Sequence, residues 1–189
     1  MKRILVITDE KKSSVNQCEA LIAELKKKKK INVEYQTINR KLIHKFPNFL
    51  IYIYLLIKSY KKKNNNFNII LSCGRICAPY SLILKSQNPI SKSIHILDPY
   101  FLRRKFDKIL IPTHDLKKLP KLSNVIGTIG TLGKIKKLTK SEIKIFNSIT
   151  SSKKIISCFI GGSGRSSKLL NTDVESLIKK INMIGENYK

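Results

Sequence analysis

The residues best placed to do chemistry stand at the ends of short apolar runs. Asp98 follows Ile94–Leu97, and His114 and Asp115 follow Lys108–Ile111 after Pro112 and Thr113. Runs of four or five residues rich in Ile and Leu, bounded by Pro and polar residues, read as strands buried on both faces of a parallel sheet. Ligands of such sheets bind beyond the carboxyl ends of the strands. That edge is therefore expected to gather Asp98, His114 and Asp115 as candidate catalytic groups; the competing role for all three is to cap turns at strand ends.

Two glycine-bearing turns join them. Gly74-Arg75 follows the apolar run Phe67–Cys73 and precedes a helix starting near Ala78-Pro79. A glycine there lets the backbone approach a ligand, free amides at a helix start suit an anion, and Arg75 offers a fork of donors for phosphate or carboxylate. The second turn, Gly161-Gly162-Ser163-Gly164-Arg165, follows Lys153–Ile160. It is not a Walker A loop, which ends in Gly-Lys-Ser/Thr. Nor is it the dinucleotide fingerprint, since Ser167 stands at the third glycine, or a nucleophile elbow, since Arg165 stands at the last one. Backbone amides, hydroxyls and one cation still suit a diphosphate.

The elements that must position these groups alternate along the chain. Arg3–Thr8 opens as a strand with Asp9 at its carboxyl end. Ser13 or Ser14 can cap a helix whose apolar positions Val15, Cys18, Leu21, Ile22 and Leu25 recur at three- and four-residue spacing. Lys26–Lys30 closes it as a solvated run, and Ile31–Ile38 alternates like a strand. Pro47-Asn48 introduces Phe49–Lys63, apolar for nine residues and basic toward its end. Its length favours a helix, although its β-branched and aromatic content also allows a strand. As a helix it reads as buried, or as one whose apolar end docks at a membrane interface while Lys58, Lys61, Lys62 and Lys63 meet anionic headgroups. Asn124–Ile129 makes a sixth strand, Thr139 caps a helix to about Ser148, and Asn171 or Thr172 caps the last one.

This alternation predicts an α/β fold: a Rossmann-like, doubly wound, mostly parallel sheet of six strands in the order 3-2-1-4-5-6 over residues 1–150. The first strand, loop and helix of a second domain follow over 151–189. The 189 residues suffice for one good core, and an apolar share of 42% is that of a globular chain despite a formal charge of +26. Of 38 basic residues only six are Arg (3, 40, 75, 103, 104 and 165). The field favours polyanions, anionic headgroups or phosphorylated substrates. Nucleic acid is the least favoured of these, for the chain lacks Trp and has neither a recognition-helix nor a stacking-sheet motif.

Met1-Lys2-Arg3 leads into an apolar run too short for a signal sequence, and Phe49–Ile57 is about half a bilayer span. Cys18, Cys73, Cys77 and Cys158 have neither metal-ligand nor disulfide-scaffold spacing, which implies reduced thiols in a cytoplasmic protein. No metal and no cofactor is expected.

SCGRICAP, HILDP, FDKILIPTHD, GTLGKIKKLT and FIGGSGRSSKL, in that order, resemble the mitochondrial fission protein family of the elongated-mitochondria type. The resemblance runs from about residue 3 to the C-terminus. It implies a GT-B-like architecture, two Rossmann-like domains facing a cleft. The implied activity is glycosyltransferase-like, with a nucleotide-sugar donor and a lipid-linked or membrane-surface acceptor. By the same resemblance Gly161–Arg165 falls on the donor-diphosphate turn and residues 3–148 form the acceptor side. Within that side His114 and Asp115 are the candidates for a polar role, with Asp98 orienting the acceptor. Asp9, Asn16 and Gln17 stand at the ligand-binding places of the family's first turn, although Glu10–Ser14 lacks that turn's glycines. Chains of the family are longer, so this one is expected to be an incomplete chain or else a standalone domain, cytoplasmic and peripheral to a membrane at most. The alternative is a non-catalytic interaction protein at a membrane surface.

Overall fold

The computed structural model describes residues 1–61, 66–116, 120–133, 138–150 and 168–186, with side chains up to 148 and 184 in the last two segments. The chain forms two compact units, Met1–Lys136 and Lys137–Lys189. The second unit includes the helix that ends near residue 150.

Unit one runs β1 (Lys2–Asp9), α1 (Lys12–Lys28), β2 (Ile31–Ile38), α2 (Asn48–Ile57), β3 (Ile69–Cys73), α3 (Cys77–Gln87), β4 (Lys92–Ile96), β5 (Lys108–Pro112), α4 (Thr113–Leu116) and β6 (Val125–Thr128). Six strands form one sheet in the order β2-β1-β3-β4-β5-β6, and every pairing is parallel. The α/β, Rossmann-like class is as the sequence predicts, but the strand order is not 3-2-1-4-5-6. The chain reverses after β2 and returns to the other side of β1. Asn68 locks that return: its amide donates to the Arg3 carbonyl at 2.9 Å, and the Arg3 amide donates to its Oδ1 at 2.8 Å. β2 is therefore an edge strand, and its alternating half-exposed pattern suits an edge as the continuous burial of β1 and β3 suits the centre.

Successive side chains of the sheet face opposite layers. Ile4 and Val6 of β1 join Leu71 and Cys73 of β3 and Cys18 and Ile22 of α1. Leu5, Ile7 and Ile70 turn the other way, toward Ile51 and Leu55 of α2 and Ile83 and Leu84 of α3. Farther along that second face, Ala78 and Leu82 of α3 cover Ile109 and Ile111 of β5.

Two expectations about helices change. α1 begins at Lys12 with no side-chain cap, so Ser14 lies inside its first turn and is buried rather than capping. α2 ends at Ile57, short of Lys63, and buries only one stripe: Asn48, Ile51 and Leu55.

Unit two contains α5 (Lys140–Thr150) and α6 (Asn171–Glu186). Thr139 caps α5 as its sequence predicts, its hydroxyl accepting from the Glu142 amide at 3.2 Å while Glu142 Oε2 accepts the Thr139 amide at 2.7 Å. At α6 the capping acceptor is Asp173, whose Oδ2 takes the Leu170 amide at 2.9 Å, and Asn171 is already helical. Among the described residues of this unit none is fully buried. The Lys153–Ile160 strand and the Gly161, Gly162, Ser163, Gly164, Arg165 turn lie outside the described residues.

Candidate functional site

The revised strand order moves the topological switch point to β1 and β3. From these neighbours α1 leaves on one face of the sheet and α3 on the other, and the place beyond their carboxyl ends is where open α/β sheets hold their ligand crevice. Asp9 ends β1 there and Gly74 follows β3. Gly74 has φ +88°, and a Cβ on it would lie 3.2 Å from Ser14 Oγ and 3.6 Å from both Asp9 carboxylate oxygens. Backbone, hydroxyl and carboxylate therefore meet without an intervening side chain.

Asp9 is 3% exposed, yet its contacts are long: the Lys11 amide at 3.4 Å and Arg40 at 4.0 Å. Such a carboxylate retains capacity to accept hydrogen bonds from a ligand. One helical turn below Ser14, Gln17 is buried and its Oε1 has no partner. Ser14 and Gln17 thus make the α1 wall polar, whereas the Asn16 side chain is exposed. The Glu10–Ser14 turn is built without glycine, for none of its residues has a positive φ.

Three buried free thiols lie below. Contact with Cys73, and then burial, pushes the Cys18 thiol far up; burial and the Asp9 charge do the same to Cys77. Cys18 and Cys77 therefore remain neutral and inert. Among the described residues no group of His, Cys, Asp or Glu could hold a metal ion.

Arg75 does not extend into the crevice. Its guanidinium donates to the Phe46 carbonyl at 2.9 Å, to Asn48 Oδ1 at 3.3 Å and to the His44 carbonyl. It ties the turn after β3 to the start of α2. Asn48 completes the knot, its amide donating to the Arg75 carbonyl at 2.7 Å and to the Pro99 carbonyl at 2.8 Å.

Asp98 is likewise engaged. Its two oxygens accept Arg103 Nε at 2.7 Å and a terminal nitrogen at 2.8 Å, and Oδ1 also accepts the Tyr100 amide at 3.0 Å. Burial works to raise its pKa, but these donors prevail and hold it below the usual carboxylate value. The segment it clamps is strained: Leu97, Tyr100 and Leu102 have φ of +73°, +61° and +43°. Asp98 is thus the lock of the β4–β5 loop.

His114 and Asp115 lie on the same carboxyl edge, in the short α4 after β5, both exposed and 3.6 Å apart. With strands about 4.8 Å apart, β5 lies about 14 Å along the sheet from β1. The edge therefore carries two separate groupings, the Asp9–Ser14–Gly74 crevice and the His114–Asp115 pair.

Sequence reading missed Ser14, Arg40 and Asn48. A signal existed for Ser14: with Gln17 it places polar residues on the face of α1 that also carries Cys18.

The six-stranded parallel sheet with helices on both faces is the α/β, Rossmann-like class that the ordered motifs imply. A family model described as mitochondrial fission ELM1 matches residues 14–188. The chain belongs to the mitochondrial fission ELM1 family. The match begins at Ser14 in the crevice wall and spans both units. No curated protein matches the chain.

Proposed function

We propose that this member of the mitochondrial fission ELM1 family is a glycosyltransferase-like protein that uses a nucleotide-sugar and works on a lipid-linked acceptor at a membrane surface. The observation that carries the reading is the buried, under-bonded Asp9 carboxylate facing Ser14 and the bare backbone of Gly74. A carboxylate beside a hydroxyl and an unpartnered amide oxygen suits a polyhydroxylated group, whose hydroxyls need acceptors at fixed positions.

In this reading unit one holds the acceptor through Asp9, Ser14 and Gln17, and Gly161–Arg165 holds the donor diphosphate. The acceptor oxygen bonds to the anomeric carbon, the bond from that carbon to the diphosphate breaks, and the acceptor proton passes to a base. Asp9 is the carboxylate in the crevice that can take that proton; His114, beside Asp115, stands about 14 Å away along the sheet edge, beyond a base's reach. Arg75 and Asp98 act at a distance, by fixing the loops that border the crevice.

The test is turnover of nucleoside-diphosphate sugars in the presence of polyprenyl-phosphate and glycolipid acceptors, read as release of nucleoside diphosphate. Wild type is expected to release it, Asp9→Asn to lose most of the rate, and Asp115→Asn to lose less. Absence of release with every donor and acceptor would favour the second reading, a non-catalytic interaction protein at a membrane surface. The observation favouring that reading is the apolar outer face of α2, and the two readings share the membrane.

A further inference from the structure

A surface helix ordinarily carries polar residues on the side away from its core. α2 does not. Its sequence NFLIYIYLLI is apolar from Phe49 onward, while only Asn48, Ile51 and Leu55 are buried. The opposite side presents Phe49, Leu50, Ile53, Leu56 and Ile57, exposed by 38% to 78%. At 100° per residue these five fall within one arc of about 120°. Tyr52 and Tyr54, half-buried, border that arc on its two sides. The turn that leads into the helix extends the same character, with Leu42 76% and Phe46 52% exposed.

The charge around this face is of one sign. Between Glu34 and Asp98 the chain contains no acidic residue. Lys41 and Lys45 are exposed just before α2, and Lys58 and Lys61 just after it. Lys58 lies over the Tyr54 ring at 5.2 Å, folded back along the helix toward the border of the apolar arc. An apolar stripe with cations at both ends and tyrosines along both sides matches the cross-section of a lipid interface. Hydrocarbon takes the stripe, the aromatic rims lie at headgroup depth, and phosphates meet the lysines. A protein groove could cover the apolar part, but the basic ends select an anionic surface.

From this we infer that α2, with the turn from Lys41 to Phe46, is a docking element that lies in the plane of an anionic bilayer with Ile53 at the centre of the inserted stripe. The inference deepens the membrane clause of the proposed function and rests on that clause alone, so it stands whether or not the protein transfers a sugar. The element is too short to span: among the described residues no helix is long and apolar enough to cross a membrane. Binding is thus reversible and salt-sensitive. Its geometry is also defined, because α2 starts at the carboxyl edge, where Asn48 holds Arg75 and Pro99, and ends at the amino edge, where Gln87 reaches the Tyr60 carbonyl. A protein lying on α2 therefore rests on the side of its sheet, with the crevice edge opening along the bilayer.

Co-sedimentation of the full chain with phosphatidylcholine vesicles, with and without phosphatidylglycerol, tests this across a salt series. Three variants accompany wild type: Phe49→Ser/Ile53→Ser/Ile57→Ser, Lys41→Gln/Lys45→Gln/Lys58→Gln/Lys61→Gln, and Ile53→Trp as an optical reporter in a chain without Trp. None touches the buried stripe, and circular dichroism before and after heating verifies that each folds. Wild type is expected on the anionic vesicles at low salt and free at high salt. Each lysine contributes about fivefold to partitioning, so the four-lysine variant should bind about 600-fold more weakly. The serine variant should lose binding to a similar degree, and the Trp emission of the reporter should shift to the blue only with anionic vesicles. Equal binding by wild type and either multiple variant would overturn the inference, as would absence of wild-type binding at low salt. Should light scattering show a wild-type dimer that the serine variant abolishes, with no vesicle binding, a second copy covers the face and the lipid assignment fails. Vesicle binding without turnover would leave this inference intact while removing the transferase reading.

Discussion

Gly74 faces Asp9 across the junction of β1 and β3, its backbone so placed that a Cβ would stand 3.6 Å from both carboxylate oxygens. The same Cβ would stand 3.2 Å from Ser14 Oγ, closer than ordinary contact allows without movement of the hydroxyl. Gly74→Ala therefore meets two penalties: an L-residue at φ +88°, and crowding of Ser14. Urea unfolding should show a loss of about 1–2 kcal/mol. Adding Ser14→Ala should restore only the crowding share, because the backbone share is independent of the neighbour. Full recovery in the double variant would mean that the backbone conformation costs nothing.

The clamp of Asp98 on Arg103 holds a loop in which Leu97, Tyr100 and Leu102 all have positive φ. Removing one partner of a largely buried, bidentate pair should cost about 2–3 kcal/mol, so Arg103→Ala is expected to destabilise by that order. Asp98 is depressed below its unfolded value, so its contribution is complete above the ordinary carboxylate range and is lost as pH falls through the folded pKa. Asp98→Asn should lose that acid-side slope. A slope unchanged in the variant, measured by urea unfolding at low pH, would contradict the clamp.

Much of this was legible before any coordinates. The runs at β1, β3, β4 and β5 are apolar because both of their faces are covered, and that pattern identifies central parallel strands. β2 alternates because one face is partly open, which marks it as an edge strand but does not say whose neighbour it is. The strand order consequently went wrong at the return after β2. Ser14 belongs to the crevice only because β1 and β3 are adjacent, so an error in strand order hides it. Arg75 looked available for a ligand because sequence cannot show that the His44 and Phe46 carbonyls fold beside it. α2 reads as apolar all round, but which stripe is buried depends on where α3 lies.

His95 lies fully buried in the middle of β4, its Nδ1 2.7 Å from Ser72 Oγ and its Nε2 without a partner. Burial lowers its pKa to about 3, against a smaller opposing effect from Asp98. The unfolded chain therefore binds the proton that the folded chain refuses. Stability from this group is full above the ordinary imidazole range and declines as pH falls from about 6.5 toward 3, by up to about 1.4 kcal/mol per pH unit. Urea unfolding from pH 4 to pH 7 should show this decline in wild type and a shallower one in His95→Gln.

Asp107 fastens the carboxyl end of α3 to the amino ends of β4 and β5. It accepts from Lys85, from the Ser93 amide at 2.8 Å and from the Ser93 hydroxyl at 3.0 Å. Burial opposes ionisation, but these donors bring its pKa down to about 2. Asp107→Ala should destabilise by about 2–3 kcal/mol, since it leaves Ser93 and Lys85 without their acceptor. A melting temperature within a degree of wild type would assign the network to the surface instead.

The claim that most needs a direct test is that the β1/β3 crevice is where ligand binds. Amide chemical shifts of the ¹⁵N-labelled chain, titrated with glucose, N-acetylglucosamine and mannose as acceptor probes and with their nucleoside-diphosphate derivatives as donors, report it residue by residue. The account predicts that at least one free sugar moves the amides of Asp9, Ser14, Gln17 and Gly74, and that Asp9→Asn removes those shifts while leaving the rest of the spectrum in place. Shifts confined to the His114–Asp115 end of the sheet, or the same shifts in Asp9→Asn as in wild type, would contradict it.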